Sequence, residues 1–441
     1  MQIKPPLKKS LFFILGLFLS TYPIFAQEAT IVSLDEVKSR ARENNTDLKL
    51  SQRDYAIAKA DYERTRAVLL PNIRLTNTST FTNNPLMAFG FKLLQRDVSA
   101  PDFDPDLLND PGDVENYNTR IELVQPIINV DGWQERKAAN LQLEISNLQY
   151  ERNMEYLELE VTKTYMQLQL AHKALVVLEK ARETALENKK QAKNNLNQGL
   201  IQNADYLNVE VRVTDVENQL QAARSQVANV SEYLSFLTGE ESGATLVPQS
   251  ELIQTTYQYD EATGLNTQRK DIRATVIATE AQKKMFSSSK MSFVPKANAM
   301  ASYGWNDSEL FGFGADNYVV GIQLSWDLFG GYKNIGKIHK ERAMLDKASL
   351  QQKKYLDKSE IELNKAKRQY IDAKNNISLT CLAMEQSREA LRITTNRFQQ
   401  GLEKTTELLF AETQFLEKEM SFYESVFNFN YSQAYLEFLT K

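Results

Sequence analysis

The spacing of apolar residues along this chain alternates between two periods, and the whole alternation occurs twice. Ser33-Leu34-Asp35-Glu36 forms a capping box, with Ser33 as N-cap and Glu36 three residues on. Helical spacing continues to about residue 70, where Pro71 ends it. From Ile73 the period falls to two. Ile73, Leu75, Asn77, Ser79 and Phe81 alternate with Arg74, Thr76, Thr78, Thr80 and Thr82, which predicts a strand over about 72–83 with one greasier face. Ile121 and Leu123 predict a second strand over about 119–128. The helical period then returns. No proline or glycine lies between Gly132 and Gly199, and Met154, Leu157, Val161, Thr164, Leu168, Ala171, Leu175, Leu178, Arg182 and Ala185 keep a 3–4 spacing. The helix predicted over about 132–198 is on the order of 100 Å long. A returning helix over about 203–238 carries Val209, Val213, Val216, Leu220, Ala223, Val227, Val230, Leu234 and Leu237, the sustained pattern of coiled-coil packing.

The second half repeats this plan. Tyr233-Leu234-Ser235-Phe236-Leu237-Thr238 reappears 202 residues later as Tyr435-Leu436-Glu437-Phe438-Leu439-Thr440. The same offset aligns Gly199-Leu200 with Gly401-Leu402, and Asp205 with Glu407. Asp47-Leu48 and Pro71 recur as Asp271-Ile272 and Pro295 at an offset of 224. Solenoid and propeller repeats have periods of roughly 20–50 residues, so this is a duplicated half-domain. Repeat one spans about 27–245 and repeat two about 246–441; the second predicts a helix over about 266–292, strands over about 296–306 and 317–328, and helices over about 333–398 and 404–440. The glycine in each Gly-Leu turn follows a long helix, as a left-handed C-cap does.

The strands carry the first functional signal. Tyr318, Val320, Ile322, Leu324 and Trp326 alternate with Val319, Gly321, Gln323, Ser325 and Asp327. Segments of about 9–11 residues with one apolar and one polar face match the strands of outer-membrane barrels. Trp305 and Trp326, near strand ends, suit an interfacial aromatic belt. A soluble sandwich hairpin is the competing reading of the strands alone. Four strands cannot close a membrane barrel, because bacterial barrels have at least about eight strands and lipid tolerates no open edge. Two protomers give eight strands and three give twelve, and a solvent-filled interior favours the larger number.

Composition narrows the setting. Lys4, Lys8 and Lys9 precede the apolar run Leu11 to Leu19, and residues 1–26 read as a secretory signal cleaved after Ala26. Losing those lysines moves the formal charge from −5 to about −8, which argues against nucleic acid. The single Cys381 makes no intrachain disulfide. No catalytic or metal constellation is present: the histidines, His172 and His339, lie in helical heptads as packing residues, and there is no phosphate loop or nucleophile elbow. The chain therefore reads as a non-enzyme without cofactor or metal. Segment 82–118 has no counterpart of equal length in repeat two. It is rich in acid and proline and is expected to be an outward-facing loop, with Leu86 to Leu94 folding over the mouth. Asp102, Asp104 and Asp106 have a Ca²⁺-loop spacing, but Pro105 interrupts it and the glycine is missing, so a solvated loop is expected.

Taken in order, these features resemble the TolC-like outer membrane efflux proteins, the outer membrane factors. The resemblance rests on the duplicated plan, on Asn45-Thr46-Asp47 and Arg269-Lys270-Asp271, on the strand-end prolines, on Pro126-Ile127-Ile128 and Leu328-Phe329-Gly330-Gly331, and on the Gly-Leu turns. It covers nearly all of the chain after the signal. It implies a fold that is mainly α with β: a trimeric twelve-stranded outer-membrane β-barrel, four strands per protomer, continued by a long periplasmic α-helical coiled-coil barrel. It implies a passive exit duct in the outer membrane of a Gram-negative bacterium, serving a tripartite efflux pump or a type I secretion system. Its implied partners are outer-membrane lipid, a periplasmic adaptor (membrane fusion protein) and an inner-membrane transporter of RND, ABC or MFS type. By the resemblance, Gly199, Leu200, Gly401 and Leu402 are the adaptor-docking turns. Asp205 and Glu407 match acids that close the periplasmic mouth, although acids in a first helical turn also offset the macrodipole. Phe398 stands where the family has an aromatic, here without a hydroxyl; Glu403 stands where some members have a base, and Phe410 where a second acid lies. Arg392 or Arg397 is left to supply a positive partner. A stand-alone porin and a coiled-coil envelope scaffold are the alternatives; the amphipathic strands oppose the scaffold and the duplicated turns oppose the porin.

Overall fold

The computed structural model describes residues 30–241, 243–255 and 264–441; the signal segment 1–26 lies outside them. Repeat one runs β1 (Thr30–Val32), α1 (Leu34–Asn44), α2 (Thr46–Arg64), β2 (Asn72–Thr82), α3 (Pro85–Leu94), α4 (Pro105–Asn109), β3 (Val114–Ile128), α5 (Val130–Asn197) and α6 (Asn203–Thr238). Repeat two runs β4 (Leu246–Pro248), α7 (Lys270–Met291), β5 (Lys296–Asp307), β6 (Ala315–Ser325), α8 (Lys333–Gln399) and α9 (Thr405–Thr440). The large sheet has the order β2-β3-β5-β6, antiparallel throughout, with β2 and β6 as open edges. None of the described helices is long and apolar enough to cross a membrane.

Several elements differ from the periodicity reading. The first helix is broken at Asn45, which leaves helical geometry at ψ 129° and caps α2 by accepting from Leu48 N at 2.9 Å. Its amide also donates to Leu237 O at 2.9 Å. The second strand begins five residues earlier than expected, because Val114 to Asn118 pair with Thr82 to Thr78. Segment 82–118 is not a bare loop: it holds α3, α4 and a 3-10 turn at Ala100–Phe103. The fourth strand stops at Ser325, ahead of Gly331 and Tyr332 in left-handed geometry. β1 and β4, a short parallel pair, had no sequence signal; their three residues each are too few to show a period.

The four long helices form two hairpins, α5 with α6 and α8 with α9. On the heptad stripe of the returning helix α6 every valine and leucine is buried, and Ala223 is half-buried. Tyr165, Leu168, Val161 and Leu234 form one core with α1 and the short β-pair, while Leu363, Tyr370, Phe429 and Leu436 form its counterpart in the second hairpin. The two cores close in the same place by different chemistry. Asn45 in repeat one bonds Leu237 O, and Arg269, its equivalent by the 224-residue offset, donates to Leu439 O at 3.1 Å. Arg269 is 2% exposed, and Asp271 accepts two bonds from it at 2.8 Å.

The sheet has two chemically distinct faces. Strand register places Ile73, Leu75, Ile121, Leu123, Ala299, Ala301, Val320 and Ile322 on one side. Val320 and Ile322 there are each 74% exposed. Asn77 and Thr119 interrupt this face but bond each other at 2.7 Å. The opposite side carries Arg74, Thr76, Thr78, Asn118, Arg120, Glu122, Ser302 and Gln323.

Candidate functional site

Two surfaces stand out, the sheet and the turns that end the helical hairpins. The 68 residues of α5 separate them by about 100 Å.

On the sheet, Trp305 lies near the β5–β6 hairpin, with its ring centroid 4.8 Å from Tyr303 and 5.4 Å from Phe313. Phe81 and Tyr117 meet edge to face at 6.1 Å at the same end. Trp326 lies one residue past β6 at the other end, where its Nε1 donates to Phe293 O at 2.9 Å. Register puts Trp305 on the apolar side, while Trp326 lies just beyond the paired residues of β6.

At the far end the two turns are built alike. Gly199 and Gly401 have φ of +75° and +74°. Leu200 N donates to Asn195 O, and Leu402 N to Arg397 O, each at 2.9 Å, the closing bond of a Schellman cap. The reversal leaves Leu200 and Leu402 well exposed at the tips. A Cβ on either glycine meets no atom within 4 Å, so a side chain there is opposed by backbone geometry alone. Gly199→Ala is therefore expected to cost about 1–2 kcal/mol at the tip. Faster amide exchange over 195–206, with the α5–α6 core unchanged, is the result that checks it; an unchanged tip would count against the left-handed cap.

The predicted gate residues fall into two groups. Asp205 accepts from Gln202 N at 3.1 Å and so caps α6, while Glu407 is exposed in the first turn of α9. Arg397 pairs with Glu403 at 2.9 Å inside its own hairpin, and Arg392 pairs with Glu389 at 2.7 Å along α8. Phe398 is half-buried and Phe410 exposed. Within one protomer these residues do not meet as a cluster. Lys189, which bonds Glu210 at 2.9 Å, ties α5 to α6 near this end and holds the Glu210 carboxyl below its usual range.

Sequence reasoning missed a polar seam between the hairpins. Asn188 on α5 donates to the buried Glu412 of α9, and burial pushes the Glu412 carboxyl up against the pull of Arg212 and Asn188. Arg212 on α6 is buried too, and its Nε has no hydrogen-bond partner. Both line a cavity of about 270 Å³ with Arg388, Phe415 and Leu416. The available signal was an acid between Leu408 and Leu416 on an apolar seam, and a base beside Val213. His172, expected as a packing residue, bonds Leu246 O at 2.8 Å. Asp102 bonds Lys92 and Ser99, and Asp104 caps Asp106 N. Among the described residues no acid, histidine or cysteine group is arranged to hold a metal.

Comparison with known proteins agrees with this anatomy. A family model described as outer membrane efflux protein matches residues 37–240 and 265–424. No curated protein matches the chain. Among solved structures, a membrane protein from Pseudomonas aeruginosa has a TM-score of 0.81 at 19% identity, covering 92% of each chain. The CmeC outer membrane channel of Campylobacter jejuni has a TM-score of 0.81 at 16% identity, covering 92% of this chain and 85% of its own. The open-state MtrE outer membrane channel of Neisseria gonorrhoeae has a TM-score of 0.77 at 15% identity, covering 92% and 88%.

Proposed function

This chain belongs to the outer membrane efflux protein family, and from that premise we propose that three copies share one barrel and form the passive outer-membrane exit duct of a tripartite pump. The family consists of transport channels, not enzymes, that sit in the outer membrane and extend into the periplasm. The observation that carries the trimer is the four-stranded sheet with open edges at β2 and β6. Unpaired strand edges in lipid cost several kcal/mol per buried group, so β6 of one copy pairs with β2 of the next. Two copies would give eight strands, a barrel whose interior side chains fill it. Arg74, Arg120 and Glu122 on the polar face, together with α3 beside it, call for the wider twelve-stranded lumen. The apolar face then meets lipid, with Trp305 and Trp326 in the two aromatic girdles.

At the periplasmic end, the exposed Leu200 and Leu402 suit docking of an adaptor, which links the duct to an inner-membrane transporter of RND, ABC or MFS type. Asp205 and Glu407, with Phe398, Glu403 and Arg397 beside them, form the gate between neighbouring copies. Asp205 also caps its own helix, so the gating and capping roles coexist. Sedimentation in detergent is expected to give a trimer, and Asp205→Ala/Glu407→Ala is expected to raise single-channel conductance in a planar bilayer several-fold. An unchanged conductance would reduce both acids to offsetting the helix dipole at their N-termini. A monomer soluble without detergent would end the duct reading itself.

A further inference from the structure

The two strand hairpins are built unequally. Residues 308–314 join β5 to β6, whereas residues 83–113 join β2 to β3 and fold on their own. Phe89 of α3 packs edge to face on Phe103 at 5.6 Å. Lys92 Nζ lies 2.7 Å from Asp102, whose carboxyl is held down to about 2 by that bond and by two from Ser99. The insertion leans over the polar face of the sheet. Gln95 donates to Asn116 Oδ1 at 3.0 Å, and Arg96, in left-handed geometry, reaches β6 and donates to Asp316 O at 2.8 Å. On that face Asn116, Asn306 and Ala315 are 3%, 1% and 0% exposed. α3 buries Ala88 and turns Leu86, Met87, Leu93 and Leu94 outward. Gly90 lies among them with open space where a Cβ would stand.

We propose that this apolar stripe is an interface with the same stripe on neighbouring copies, so that three insertions close the outer mouth of the duct as an apolar plug. The inference rests on the reading that three copies share one barrel. The occupant follows from position. A helix held over the polar face points its free side toward the lumen axis rather than toward lipid, and what it meets there is its own copies. The interface is head to tail and closes at three, since each stripe packs on the next around the axis. Charge fits as well: the stripe has none, so three copies converge without like-charge repulsion, while Asp97, Asp104, Asp110 and Asp113 keep the rim in water.

The test is disulfide trapping in the full chain with Cys381→Ser, the only native cysteine removed. Leu93→Cys, and separately Leu94→Cys, are expected to give a covalent dimer on mild oxidation of intact outer membranes. Asp110→Cys on the exposed rim is expected to give none. In addition, in the Asp205→Ala/Glu407→Ala background, Leu86→Ser/Leu93→Ser is expected to raise single-channel conductance several-fold further. A protein that sediments as a trimer, stays uncrosslinked at both positions and labels there with a bulky impermeant maleimide overturns the plug and leaves the duct reading standing. A monomer overturns both.

Discussion

Val320→Arg is expected to abolish accumulation of the protein in the outer membrane, while Val319→Arg, one residue away, is expected to leave it there. The two positions differ only in face. Val320 pairs with Ala301 on the apolar side, at the middle of β6, and Val319 pairs with Ser302 on the polar side. In this chain alone both are exposed, at 74% and 56%, so exposure does not separate them. Lipid does. An arginine facing lipid near the bilayer midplane costs about 2–4 kcal/mol in a barrel. Three copies would carry that cost at the same depth in one trimer, which compares with a total stability of about 5–15 kcal/mol for an ordinary domain. An arginine at 319 has Ser302 across the ladder and Asn317 two residues away on the polar face, and carries no such penalty. Outer-membrane fractionation and urea midpoints in lipid vesicles measure the contrast. Equal loss for both variants would mean that neither face is lipid-facing; loss for Val319→Arg alone would mean that the sheet is inside out.

That contrast was legible in the sequence because a strand's side-chain period is two, so eleven residues of β6 suffice to display both faces. The long helices were legible for the same reason at another period: the heptad valines and leucines of α6, from Val209 to Leu237, fall in the core, while Leu207 and Val211 off that stripe stay exposed. What the sequence hid depends on non-local partners. Asn45 breaks the first helix; its oxygen caps α2 locally, but its amide is held by Leu237, which is 192 residues away. The seam acid Glu412 was read past because one charged residue hardly changes a heptad pattern; only its burial against Asn188 and Arg212 makes it unusual. The insertion at 83–113 looked like a loop because proline and aspartate dominate it, yet those residues are its helix caps: Pro85 and Pro105 start α3 and α4, and Asp104 caps the second. At the tip, the Gly-Leu turns were readable from glycine chemistry, since a left-handed C-cap needs no partner beyond its own helix.

Asp271→Ala is expected to cost about 3–5 kcal/mol at neutral pH, because it leaves a buried guanidinium without its carboxylate. Arg269 is almost wholly enclosed, and its remaining partners, Leu439 O and Ser359 Oγ, are neutral. Asp271 also accepts from Tyr355 Oη at 2.6 Å and lies 3.7 Å from Arg152, so one carboxylate ties α5, α7 and α8 together and reaches the end of α9 through Arg269. Burial, the largest influence on that carboxyl, raises its pKa; the bonds from Arg269 and Tyr355 and the charge of Arg152 outweigh it and leave it lowered. The tyrosine moves the other way, pushed up to about 12 by burial and by its bond to Asp271. A carboxyl whose folded pKa lies below its unfolded value of about 3.9 stabilises fully above that value and loses its contribution as pH falls through the folded one. The gap between wild type and Asp271→Ala should therefore be full at pH 7 and shrink below about pH 4, where the wild type protonates the same group. Helix loss in urea, followed at both pH values, measures it. Arg269→Met/Asp271→Leu should recover much of the stability at pH 7, since replacing a buried pair by apolar groups is often neutral. A gap of the same size at pH 3 would show that Asp271 acts through packing and not through its charge.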